Sequence, residues 1–157
     1  MTSQTAAASA VPAGAPPFLP PERVTIDYRV PSDVRFIEGV VGVIRRQCEE
    51  CEFPRRKCAL NVPVALTEAL ANAILRGNRE DALKFVRVHV ELDQDGLVME
   101  VVDEGAGFDL DACTRDPHDP DNLTDENGRG LYLMRRLMDA VERYTDGGNV
   151  VRLTLRR

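Results

Sequence analysis

The sequence predicts an α+β fold, with helices packed on one face of a mixed or antiparallel sheet. Three observations carry this. A short alternating strand opens the folded part of the chain, and two stretches with helical spacing follow it between Ser32 and Gly77. Two glycine-containing turns, Asp93-Gln94-Asp95-Gly96 and Asp146-Gly147-Gly148-Asn149, then each join two runs rich in β-branched residues. The elements run strand, helix, helix, strand, strand, helix, strand, strand, with no internal repeat.

Residues 1–21 are rich in Ala, Pro, Ser and Thr and close on Pro-Pro-Phe-Leu-Pro-Pro. Such a segment buries little and is expected to be disordered or extended, so a single domain is expected over 22–157. Arg23 to Val30 alternates apolar and polar through Val24, Ile26, Tyr28 and Val30, the period of a strand. Ser32 is the expected N-cap of a helix to about Glu50, with Val34, Ile37, Val40, Val41 and Ile44 as its apolar stripe. Asn61 and Pro63 open a second helix, which carries Glu68 and Asn72 and stops near Gly77. Phe85–Leu92 and Leu97–Val102 form a hairpin. The polar stretch Asp109–Asn127, with Pro117 and Pro120, is too long for a simple connection and reads as a lid. A helix from Leu131 to about Ala140 turns Leu133, Met134, Leu137 and Met138 inward, and strands Val141–Thr145 and Val150–Leu155 close the chain.

At 157 residues the chain is long enough for one sizeable core. Its 43% hydrophobic and 29% charged content is that of a soluble globular protein. No apolar run approaches the ~20 residues of a bilayer span, and the N-terminus lacks a basic region followed by an apolar one, so the expected location is cytoplasmic. A net charge of -6 argues against nucleic acid as a partner, because such binders present a basic face. It does not argue against a polyphosphate held through Mg²⁺ and backbone N–H groups. Cys48 and Cys51 form a C-x-x-C followed by Cys58, while Cys113 stands apart. A second pair for a structural zinc is missing, and the motif ends a helix rather than following a strand, so all four read as reduced thiols.

Three short runs carry chemistry. Glu68 and Asn72 lie one turn apart on a helix face. An Asn carbonyl is a hard oxygen ligand for Mg²⁺, and a Glu one turn earlier can take a proton from an attacking hydroxyl. Asp103 ends an apolar strand and is followed by Gly105 and Gly107, which let the backbone approach a flat ligand while the carboxylate accepts from an exocyclic amine. Gly128-Arg129-Gly130 precedes a helix, whose N-terminal N–H groups attract anions, with Arg129 adding charge. Taken singly, each has an ordinary alternative: a solvent-facing Glu–Asn pair, a strand-ending turn, and a hinge before a core helix. The P-loop, the dinucleotide fingerprint and the H-R-D loop are all absent, so any ATP site is built by another route.

As a set, Glu68–Asn78 (Glu-Ala-Leu-Ala-Asn-Ala-Ile-Leu-Arg-Gly-Asn), Asp103–Asp109 (Asp-Glu-Gly-Ala-Gly-Phe-Asp) and Gly128–Met134 (Gly-Arg-Gly-Leu-Tyr-Leu-Met) resemble the N, G1 and G2 boxes of the Bergerat-fold (GHKL) ATPase superfamily. The nearest likeness is to anti-sigma-factor serine kinases of the RsbW and SpoIIAB type. Asp116–Leu123 also resembles their lid, and the resemblance covers about Glu22 to Arg157. It implies a two-layer α/β sandwich, often homodimeric, with ATP and Mg²⁺ as cofactors. By it, Asn72 ligates Mg²⁺, Glu68 is the general base and Asp103 binds the adenine amine. Gly105 and Gly107 line the adenine pocket, while Gly128, Arg129 and Gly130, running into Leu131, close over the phosphates. The implied partners are an anti-sigma antagonist of STAS type, phosphorylated on Ser or Thr, and a sigma factor that the kinase sequesters. One departure is Arg76, where many relatives carry His before the glycine of the N box; Arg cannot act as a base.

Two functions follow as expectations: an ATP-dependent serine/threonine kinase of a partner-switching module, and an ATP-gated binding protein with little or no transfer activity. A histidine-kinase catalytic domain fits poorly. The chain has no room for a dimerisation domain bearing a phospho-accepting His, and His89 and His118 fall in a strand and in the lid.

Overall fold

The computed structural model of the chain describes residues 23–105 and 126–157. Its elements are β1 (Arg23–Pro31), α1 (Ile37–Glu50), α2 (Val62–Asn72), β2 (Phe85–Asp93), β3 (Gly96–Asp103), α3 (Glu126–Leu137), β4 (Ala140–Thr145) and β5 (Asn149–Arg156). The expected order is therefore met. The five strands form one sheet in the order β1-β2-β3-β5-β4, and all four pairings are antiparallel rather than mixed. Both turns predicted between strands are present. In the first, Asp93 Oδ1 accepts from Asp95 N at 2.9 Å and Gly96 N at 3.1 Å.

The sheet has two unlike faces. Val88, Val101 and Val151 stand in register across β2, β3 and β5, and their face is covered by the helices. Ile44 from α1, Leu66, Leu70 and Ile74 from the α2 segment, and Met134 from α3 bury there against Met99 and Leu153, all 2% exposed or less. On the opposite face Asp27, His89, Glu100, Arg152 and Glu142 align across the strands with alternating sign. Asp27 meets His89 at 2.6 Å, and Arg152 meets Glu100 at 3.0 Å. The result is helices on one side of the sheet and a laced polar surface on the other.

Several boundaries move from their expected places, each for a long-range reason. Ser32 is buried and does not cap α1. Its hydroxyl donates to Lys84 O at 2.7 Å and accepts from Asn78 Nδ2 at 2.9 Å. Asp33 takes over the capping, accepting from Arg35 N at 2.9 Å ahead of a short 3₁₀ turn at Val34–Phe36. Asn61 has helical backbone angles and opens nothing. Its amide donates to Leu137 O at 2.6 Å, tying α2 to the end of α3. A wide π turn adjoins each end of α2, Lys57–Asn61 before it and Ala73–Gly77 after it, so the helix runs 21 residues from Lys57 to Gly77. By length and composition that segment is apolar enough to cross a membrane, contrary to expectation. In this fold it is the central helix, with much of its surface buried. Helix α3 begins at Glu126, before the expected Leu131, and it leaves Leu133 exposed while burying Leu131, Met134 and the following Met138.

Cys48, Cys51 and Cys58 are free and buried where α1 meets the start of the α2 segment. Burial, reinforced by Cys58 close by, pushes the Cys48 thiol up to about 12, which leaves it unreactive. Cys113, His118 and the expected tail of 1–21 lie outside the described residues.

Candidate functional site

Two carboxylates mark the site, one on α2 and one at the end of β3. Glu68 and Asn72 lie one turn apart, and α3 crosses beside them at Gly130. A Cβ on Gly130 would stand 2.5 Å from Glu68 Oε2 and 3.8 Å from Asn72 Nδ2. Only a residue without a side chain lets α3 come this close. Neither Glu68 nor Asn72 makes a side-chain hydrogen bond among the described residues, and both are partly exposed. Partial burial alone raises the Glu68 carboxyl above its ordinary pKa. A half-desolvated carboxylate with no internal partner is suited to accept a proton from an incoming hydroxyl.

Asp103 is held very differently. It is 3% exposed, and its Oδ1 accepts from Gly105 N at 2.8 Å and Asn149 Nδ2 at 2.9 Å. The same Asn149 amide donates to Gly105 O at 2.6 Å, so one side chain fixes both the acid and the turn after it. Glycines make the space. A Cβ at Gly77 would lie 2.3 Å from Asp103 Cγ, and one at Gly105 would lie 1.9 Å from Gly77 O. Gly148, at φ 147°, brings β5 against Asp103 O, where a Cβ would come to 2.5 Å. Oδ2 of Asp103 has no hydrogen-bond partner among the described residues.

Asn78 connects these parts. It is 1% exposed and donates to Ser32 Oγ at 2.9 Å and Phe85 O at 3.0 Å, while its Oδ1 accepts from Glu104 N at 2.7 Å. Glu104 in turn accepts from Phe85 N at 2.7 Å. The end of the α2 segment, the start of β2 and the turn after β3 are thereby locked together. The Ala73–Gly77 turn then spans from Asn72 at one end of the site to the Asp103 carboxylate at the other.

Of the residues singled out by sequence, the structure brings Glu68, Asn72 and Gly130 together, and separately Asp103 and Gly105. Gly128 and Arg129 fall in the first turn of α3, not in a loop ahead of it, with Arg129 exposed; Leu131 is 3% exposed in the core. The N–H groups of that first turn lack helical acceptors and remain suited to an anion. Gly107 and the lid from Leu110 lie outside the described residues as far as residue 125. Arg76 is exposed on the Ala73–Gly77 turn. Sequence reasoning missed the anchoring roles of Asn78 and Asn149. Asn149 carried only a turn signal, and the partners of both residues are distant in sequence.

Residues 30–155 match the family described as the histidine kinase-like ATPase domain. The serine-protein kinase RsbW of Bacillus subtilis is 35% identical over 99 residues, covering 60% of this chain and 62% of that protein. The anti-sigma F factor of Clostridium beijerinckii is 31% identical over 102 residues, 62% of this chain and 68% of that protein. RsbW of Staphylococcus aureus is 29% identical over 97 residues, 58% and 61% respectively. The chain thus spans about three-fifths of the length of the RsbW proteins it matches. With most of its length matched and its sheet, helices and paired site residues arranged as described, the chain belongs to the histidine kinase-like ATPase domain family.

Proposed function

We propose that this chain is an ATP-dependent serine/threonine protein kinase that phosphorylates an anti-sigma antagonist of STAS type and, in the same partner-switching module, sequesters a sigma factor in the cytoplasm. The observation that carries the reading is the placement of Glu68, Asn72 and Gly130 at one end of a helical segment whose other end closes on the buried carboxylate of Asp103.

The residues fit Mg²⁺-ATP. The cradle of Gly77, Gly105 and Gly148 leaves room that any Cβ would fill, and Asp103 keeps Oδ2 for a donor such as the adenine amine. Gly107 completes that pocket in our reading. Asn72 offers a hard oxygen to Mg²⁺, while Gly128, Arg129 and Gly130, with Leu131 anchoring the helix behind them, face the phosphates. The bound nucleotide supplies the transferable phosphoryl group. Glu68 accepts the proton of the acceptor hydroxyl, and positioning accounts for most of the remaining catalysis. The names of the relatives, serine-protein kinase and anti-sigma F factor, support this reading at the level of activity and partner.

The test is ATP binding, with and without Mg²⁺, together with phosphate transfer to candidate antagonists. Asp103→Asn is expected to weaken ATP binding by 100-fold or more. Glu68→Ala is expected to bind ATP within a few-fold of wild type and to lose transfer by at least 100-fold. If wild type binds ATP but transfers to no antagonist, the ATP-gated binding protein becomes the better account. If wild type does not bind ATP, both readings fail.

A further inference from the structure

Helix α1 carries two glycines in its interior, Gly39 and Gly42, where an added Cβ would meet nothing within 4 Å. Glycine in a helix is destabilising relative to alanine, and here the packing of the chain itself gives no return for that loss. The glycines around Asp103 differ, since each of them is in contact with the chain's own atoms. On the same side of α1, Glu38 and Arg46 are exposed and make no ion pair among the described residues. Phe36 and Val43 are 47% and 38% exposed along its flank. The outer face of the sheet offers no such feature, because its charges already pair with one another.

The charges on α1 have a symmetry. A two-fold axis through Gly42 sets position 38 against 46 and position 35 against 49. Both pairs are opposite in sign, Glu38 with Arg46 and Arg35 with Glu49. The axis also sets Arg45 against Gly39, where there is room for it. Centring the axis midway between the two glycines would instead set Arg35 against Arg46, two like charges. Within the chain Arg35 is held by Asp33, and Glu49 lies 3.7 Å from Arg45, so Glu38 and Arg46 are the pair left for a neighbour. We propose that a second copy of this chain packs antiparallel on the exposed face of α1, with the helices crossing at Gly42 and each Glu38 facing the other copy's Arg46. Close approach at a glycine and complementary long side chains on either side are the means by which two polar helices associate specifically.

The inference is independent of the kinase reading and is tested without nucleotide. Sedimentation equilibrium of the full chain, whose monomer is 17.4 kDa, over a concentration series is expected to show a monomer–dimer equilibrium. Glu38→Arg alone is expected to weaken association at least 10-fold, and Glu38→Arg with Arg46→Glu to restore it to within about threefold of wild type. Gly42→Ala is expected to melt higher than wild type, since its Cβ has open space, yet to associate at least 10-fold more weakly. A chain monomeric throughout the series overturns the proposal. So does a dimer whose dissociation constant is indifferent to Glu38→Arg and Gly42→Ala, which would place the contact elsewhere.

Discussion

Asp103 and Glu68 are both carboxylates set against glycines along one helical segment, yet the fold treats them in opposite ways. Asp103 is 3% exposed, with two donors on one oxygen and a second asparagine, Asn78, bracing the turn that follows. Glu68 is half in solvent, has no hydrogen bond among the described residues, and faces Gly130 across a gap set by helix packing alone. The difference matches the tasks proposed for the two groups. A group that recognises a flat base benefits from being fixed before the ligand arrives, because the ordering cost is then already met in folding. A group that must exchange a proton with a visiting hydroxyl gains from having no internal partner and from a pKa shifted toward neutrality.

The largest expected effect comes from breaking this contrast at the glycines. Gly105→Ala drives a methyl group into the backbone carbonyl of Gly77, only 1.9 Å from the new Cβ. Neither backbone can yield without unlocking the Asn78 and Asn149 bonds, so a loss of ~3 kcal/mol or more is expected, together with loss of ATP binding. Gly130→Ala meets the end of a flexible side chain, Oε2 of Glu68 at 2.5 Å. There the carboxylate swings aside: the thermal midpoint should stay within ~2 °C of wild type while phosphate transfer falls at least 10-fold. Calorimetry and nucleotide binding on the two variants check the pair. Equal losses of stability in both would show that the two ends are held alike.

Part of this contrast was legible before any coordinates. The spacing of Glu68 and Asn72 places them on one helix face whatever the tertiary structure, and Asp103 at the close of an apolar strand followed by glycine marks a strand-end turn. Local chemistry misled wherever a distant partner captured the side chain. Ser32 and Asn61 have the residue types of helix caps, but Lys84 O and Leu137 O, 52 and 76 residues away, claim them. Glycine propensity also placed the start of α3 too late, because at Gly130 contact with Glu68 decides the residue and the helix runs through it. Asn149 was invisible as a site residue for the same kind of reason. It reads as the end of a hairpin turn, and only the pairing of Asp103 with Asn149 across β3 and β5 brings its amide to the carboxylate.

An intermediate effect is expected at that asparagine. Asn149→Ala removes one of two donors from Asp103 Oδ1 and leaves Gly105 O without its 2.6 Å partner in a site nearly closed to water. Leaving such groups unpaired costs ~1–3 kcal/mol. ATP affinity should fall about tenfold, with transfer from saturated enzyme changed less than binding. Asn149→Asp is the sharper probe, since it keeps the shape but places a second carboxylate beside the first. It is expected to weaken ATP more than the alanine variant at pH 8, and to recover toward it as the pH is lowered and one acid takes up a proton. If Asn149→Ala binds ATP as wild type does, Asp103 does not depend on this brace.

The smallest effect is expected at Glu68, and its sign is the informative part. Burial holds the folded-state pKa of this carboxyl above its unfolded value. Ionised Glu68 therefore destabilises the fold at neutral pH, and that penalty is relieved as the pH falls through the folded pKa toward the unfolded one. Glu68→Gln removes the charge and keeps the shape. Its thermal midpoint should lie ~1–2 °C above wild type at pH 7.5, a modest gain because the group is partly solvated, and the two curves should converge near pH 4. Asp103→Asn should move the other way at pH 7.5, because an amide placed at Asp103 gives up charge-assisted bonds from Gly105 and Asn149. A Gln variant less stable than wild type at pH 7.5 would mean that Glu68 has a stabilising partner in the folded chain. The idea that this end of the site is left uncommitted for a substrate would then have to be given up.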